Sequence, residues 1–137
     1  MVGVVSIHLA DVGLRSGLGL LRTRFRPGSI DGLRHADVGT AAPLGPSVLP
    51  KPTFGRVGFI GFWDDERALD HFVRDHPLAQ RLRGGWQARM EPLRRSGSWP
   101  GLDADISASR HTAYDGPAVV LTLGRLRPSQ ALRFLRT

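Results

Sequence analysis

The apolar positions of the chain change period several times, and each change predicts an element. Residues 4 to 12, VVSIHLADV, are rich in β-branched residues and alternate, with Val5, Ile7 and Leu9 on one face and Val4, Ser6 and His8 on the other. This predicts a strand whose aliphatic face is the core side. Leu14, Leu18 and Leu21 then recur at helical spacing through LRSGLGLLRTRF, although Gly17 and Gly19 each weaken a helix by roughly 1 kcal/mol relative to alanine. Ala36 to Ala41 carries a short strand pattern, and the prolines that follow, Pro43, Pro46, Pro50 and Pro52, predict the longest loop.

RVGFIGFW, residues 56 to 63, alternates Val57, Phe59, Gly61 and Trp63 with Gly58, Ile60 and Phe62. Both faces are apolar, which predicts a central strand covered on both sides. Asp64 or Asp65 caps the helix that follows, and Asp64, Asp65 and Glu66 suit the positive end of its macrodipole, so the acidic trio has a structural explanation. Leu69, Phe72 and Val73 form its buried stripe, Pro77 ends the first helical stretch, and Leu78 and Leu82 resume a second short one. WQARMEPL, residues 86 to 93, sets Trp86, Ala88 and Met90 against Gln87, Arg89 and Glu91, a half-buried strand pushed toward a sheet edge by Pro92. Strand, helix, strand, strand, helix, strand is the order of a ferredoxin-like split βαβ unit, an α+β fold with helices on one face of an antiparallel sheet.

Residues 94 to 117 are rich in turn formers and read as a connector. The chain then repeats itself at an offset of 114 residues: Val5, Ile7, Leu9 and Val12 meet Val119, Leu121, Leu123 and Leu126, and LGLLRT at 18 to 23 meets LRFLRT at 132 to 137. The expected organisation is therefore a ferredoxin-like unit at 1–94, a linker at 95–117, and at 118–137 the start of a second unit, cut short at Thr137. A lone sheet with helices on one side leaves an apolar face to water, so a homodimer is expected.

Composition narrows the functional classes. The chain of 137 residues has no cysteine, which removes disulfides, thiolate metal sites and a cysteine nucleophile. No apolar run approaches the roughly 20 residues of a membrane span, and MVGVVSIHLADVGL lacks the basic start of a signal peptide, so a cytoplasmic location is expected. The net charge of +7 suits an acidic partner or peripheral contact with an anionic membrane. However, the arginines are scattered and lack interleaved aromatics, and 18 of the 19 basic residues are arginine, which coding bias explains as well as binding does. Nucleic acid is not the expected partner. GxGxxG before a helix, the Walker loop, HExxH and GxSxG are all missing.

Several stretches together resemble one family. Pro52-Thr53-Phe54 precedes the central strand, Phe62-Trp63-Asp64 with Ala68-Leu69 and Phe72 follows, and then come Trp86, Pro92-Leu93 and Gly97-Ser98-Trp99-Pro100-Gly101. This pattern resembles the spheroidene monooxygenase (carotenoid oxygenase) family, which is similar to the dimeric α+β barrels, in which two ferredoxin-like units pair through their sheets. The resemblance implies a haem-dependent monooxygenase that inserts oxygen into an apolar, carotenoid-like polyene with electrons from an external donor. Haem iron needs a ligand such as imidazole. His8 is the first candidate, pointing into the space between two sheets if Val5, Ile7 and Leu9 face the helices; His71 and His76, on the helix after the central strand, follow, with solvated helix histidine as the plainer account of both. His35 and His111 fall in expected loops. Trp63, Trp86 and Trp99, with Phe62 beside them, are candidates to wall an apolar substrate cavity, although tryptophan is more often plain core. Arg89 meets either a haem propionate or solvent. Two functions stay open: an oxygenase, inactive if truncated, and a non-catalytic dimeric barrel that binds a small apolar ligand.

Overall fold

The computed structural model describes residues 2–26, 28–42, 54–102 and 106–124. Four strands and three helices follow one another as β1 (Val4–Asp11), α1 (Leu14–Leu21), β2 (Leu33–Thr40), β3 (Arg56–Trp63), α2 (Glu66–Asp75), α3 (Pro77–Leu82) and β4 (Trp86–Met90). The strands form one sheet in the order β2-β3-β1-β4, with every neighbouring pair antiparallel. This α+β arrangement is compatible with the ferredoxin-like fold. The four-proline stretch, Pro52-Thr53 and residues 125–137 lie outside the described residues.

β3 is central, as its two apolar faces predict, and its bounds are those read from the sequence. Val57, Phe59 and Trp63 are at most 1% exposed and pack with Leu69 and Phe72 of α2, Leu78, Ala79 and Leu82 of α3, and Leu20 of α1. All three helices therefore share one face of the sheet. Asp65 caps α2 by accepting the Ala68 N–H at 2.8 Å, and Pro77 opens α3, where a missing N–H costs nothing. Gly17, a weakness by propensity, is a packing requirement. A Cβ there would collide with the Phe54 carbonyl, so only glycine lets α1 sit against the turn before β3.

β1 departs from expectation. Val4, Ser6, His8 and Ala10 face the helices, and Val5, Ile7 and Leu9 face the other way. The cause is steric and polar together. Small Ser6 and Ala10 leave room for the helices, and the Trp63 indole N–H donates to the Ser6 hydroxyl at 2.9 Å inside the core, so Ser6 is buried without loss. Strand β2 also begins earlier than its pattern suggests, at Leu33, with a bulge between Leu33 and His35 that leaves Arg34 as the extra residue.

The open face carries Val5, Ile7 and Leu9 of β1, Ile60 and Phe62 of β3, and Trp86, Ala88 and Met90 of β4. The segment expected as a linker covers part of it. The Arg95 N–H donates to the Ser107 carbonyl at 2.8 Å, while its side chain reaches the carbonyls of Ile106 and Gly97 at 3.1 and 2.7 Å, drawing residues 95–102 and 106–107 together as a strap. Trp99, Leu102 and Ile106 of the strap, joined by Leu121, pack on Val2, Val5 and Phe62. Residues 118–124, where the second unit was expected to open with a strand, pair with no other strand among the described residues, and Val119 and Val120 are exposed.

Replacing Trp63 with phenylalanine keeps most of the packing but strands the Ser6 hydroxyl; the expected cost is about 1–3 kcal/mol. Adding Ser6→Ala to that variant should recover part of the loss. Urea unfolding of the two single variants and the double variant checks this, and strict additivity of the losses would show that the hydrogen bond does not couple them.

Candidate functional site

The side chains singled out from sequence divide between the two faces. His8 lies in the helix-side core, 4% exposed, with Phe59 and Phe72 edge-on at ring-centroid distances of 5.7 and 6.2 Å, and its Nε2 has no hydrogen-bond partner. Burial pushes its pKa below the ordinary histidine value, and the positive charge of Arg89 adds to the effect. It is a neutral core imidazole, pointing away from the open face on which it was expected. A cavity of about 50 Å³ beside it is bounded by Val73, Ala79, Leu82 and Gln87.

His76 has a structural task. Its Nδ1 accepts the Leu78 N–H at 3.1 Å, which caps α3, and its ring lies 5.1 Å from that of Phe72; burial lowers its pKa too. His71 stands on the exposed side of α2, 3.5 Å from Asp75, and not at the margin of the buried stripe. Arg89 pairs with Glu66 at 2.8 Å and Asp70 at 2.6 Å, tying β4 to α2. Partial burial opposes its charge, but these hydrogen bonds and charges hold its pKa above the usual arginine value. The acidic face of α2 is thus a partner for arginine.

The aromatic candidates also separate. Trp63 is wholly buried on the helix side, whereas Phe62, 4% exposed, faces the other way, and Trp86 is 58% exposed at the edge strand. Phe62 and Trp99 do meet, edge to face at 5.4 Å. Trp63 cannot share a ligand surface with the other three without the sheet between them.

The structure assembles a group that the sequence reading passed over. His35, assigned to a loop, is the first residue after the β2 bulge, and its Nε2 lies 3.0 Å from Asp37 Oδ2. The same oxygen accepts the Trp99 indole N–H at 2.7 Å. An indole N–H can only donate, and a carboxylate can only accept, so the imidazole donates its Nε2–H to Asp37 Oδ2 and turns Nδ1 the other way. Gly101, at φ +83°, stacks against that edge of the ring: a Cβ there would come within 2.8 Å of Cε1 and 3.2 Å of Nδ1. The motif Gly97-Ser98-Trp99-Pro100-Gly101 therefore converges on His35 and Asp37. The His-x-Asp spacing on a strand, which sets both side chains on one face, was the available signal.

Haem does not fit the residues proposed for it. His8 Nε2 is sealed among rings, His76 Nδ1 is engaged as a cap, and His71 stands on an open helix surface. Drug-sized ligands fill roughly 300–1,000 Å³ and a porphyrin is among the larger of them, whereas the cavity at His8 measures about 50 Å³ and a cleft beside His35 about 210 Å³. Among the described residues, no group of three or more His, Cys, Asp or Glu could hold a metal ion. None of the described helices is long and apolar enough to cross a membrane.

Comparison with known proteins agrees with the resemblance carried by these motifs. The chain is 32% identical over 88 residues to a protein named spheroidene monooxygenase from Rubrivivax gelatinosus. The match covers 61% of this chain and 34% of the relative, so the chain spans about a third of that protein's length. The chain is thus similar to spheroidene monooxygenase at a distance. No protein-family profile matches it, and no solved structure does.

The two histidines with lowered pKa make stability depend on pH. The folded state holds His8 and His76 neutral, so below the ordinary value of 6.5 the unfolded chain binds more protons and gains on the folded one. Their contribution is complete above that value and is lost as pH falls below it. The urea midpoint should drop between about pH 7 and pH 5, and less steeply in His8→Phe; an equal slope in wild type and variant would contradict this. His76→Asn, which retains a capping acceptor, should behave likewise with a smaller change.

Proposed function

We propose that this chain is a unit of a monooxygenase of the spheroidene monooxygenase type, acting on an apolar, carotenoid-like polyene with electrons from an external donor. The observation that carries the reading is the sequence match. The open sheet face supports it. Val5, Ile7, Leu9, Ile60 and Phe62 present an apolar surface that the strap covers at one end, leaving Leu9 and Trp86 at 37% and 58% exposure. A second ferredoxin-like unit, from another copy or from a second unit of the same chain, would close this face in the manner of a dimeric α+β barrel. Leu121, the counterpart of Ile7 in the internal repeat, already lies on that face, as the first strand of such a unit would.

In this arrangement the substrate lies along the aliphatic surface, with Phe62, Trp99 and Trp86 as its aromatic contacts. These side chains bind and orient the polyene and exclude water from it. Trp63 supports the sheet from behind. The scatter of His8, His71 and His76 favours a second reading, a non-catalytic barrel that binds an apolar ligand at the same face.

Incubation of the purified protein with a detergent-dispersed polyene, a reducing system and isotopically labelled dioxygen, followed by mass spectrometry, tests the reading. A product that carries one labelled oxygen atom is expected. Polyene that binds saturably but is recovered unchanged would replace it with the non-catalytic reading, and polyene that does not bind would remove both. Trp86→Ala is expected to weaken polyene binding by about three- to ten-fold, because roughly 1 kcal/mol or somewhat more accompanies loss of an exposed aromatic contact.

A further inference from the structure

We propose that the cleft beside His35 is a binding site for a small organic carboxylate with a short apolar body. The cleft holds about 210 Å³ and is lined by Phe25, Arg26, Leu33, Arg34, His35 and Gly101. That volume lies below the range for drug-sized ligands, so it admits a short-chain or single-ring acid and excludes a polyene.

Its walls are fixed on both sides. Leu33 is 6% exposed, and Phe25 packs edge-on to Phe59 at 5.6 Å, so the apolar wall is anchored in the helix-side core. Arg34, the bulge residue, is held through its Nε by Asp64, which sets its guanidinium at the cleft. His35 is held by Asp37, itself held by Trp99, and presents its Nδ1 edge toward Gly101. Preorganisation of this kind reduces what a ligand must order on binding.

The positive charge that would meet an anion is Arg26 at the rim. Asp37 already accepts two hydrogen bonds and Asp64 is paired with Arg34, whereas Arg26, exposed at the rim, has no acidic partner among the described residues. A planar guanidinium matches a carboxylate in two parallel hydrogen bonds, and Phe25 and Leu33 supply the contact for an apolar tail. Gly101 is part of the design: a side chain there would collide with the imidazole and push it out of the cleft wall.

The test is a two-dimensional NMR titration with sodium benzoate at constant ionic strength, with sodium phosphate as the comparison anion. Benzoate should shift the signals of His35 and Gly101 saturably. Arg26→Gln, a rim substitution that should leave the unfolding midpoint unchanged, should weaken binding about ten-fold or more. Gly101→Ala should abolish it, while Arg22→Gln, at an exposed arginine outside the cleft, should leave it intact. Shifts that do not saturate, equal shifts with phosphate, or equal losses in Arg26→Gln and Arg22→Gln would reduce the site to general charge attraction and overturn the proposal. Saturable binding that survives both Arg26→Gln and Gly101→Ala would place the acid elsewhere and overturn it as well.

Discussion

The hydrogen bond from the Trp63 indole to the Ser6 hydroxyl decides which side of β1 meets the helices. An indole this deeply buried needs an acceptor, and the strand paired with β3 supplies one only if Ser6 points toward it. Once Ser6 faces the helices, the period of the strand carries Val4, His8 and Ala10 with it and sends Val5, Ile7 and Leu9 to the opposite side. The neutral state of His8, the ion pairs of Arg89 behind it, and the aliphatic character of the open face all descend from that one choice.

The open face is therefore more aliphatic along β1 than the covered one. Hydrophobicity assigns the best apolar residues to the core, and in a protein with a single core that assignment would hold. Here the helix side is filled by large aromatics from β3 and α2, Phe59, Trp63 and Phe72, the first and last stacked at 5.5 Å. Smaller residues on β1 are what such a core accommodates. The branched side chains serve a second surface, which fits a chain similar to part of a longer oxygenase.

Local chemistry made most of the fold legible. The alternation of RVGFIGFW gave β3 its bounds, the Asp65 cap and Pro77 gave the break between α2 and α3, and the order of elements gave the sheet. The start of β2 was hidden because Leu33-Arg34-His35 contains a bulge, which breaks the alternation that periodicity depends on. That same break concealed the His35 group. Its third member, Trp99, is 62 residues from Asp37 in a stretch that reads as turns, and no spacing rule links them. The strap escaped notice for a related reason: its order comes from Arg95 bonding to carbonyls and from three separated apolar residues, neither of which has a period.

Trp99 performs two tasks with one side chain. Its ring seals Phe62 on the open face, and its N–H holds the Asp37 carboxylate that orients His35. A molecule that lifts the strap to gain the sheet thus withdraws a donor from Asp37 in the same movement. Cover of the aliphatic surface and orientation of the imidazole are consequently tied to the position of one indole.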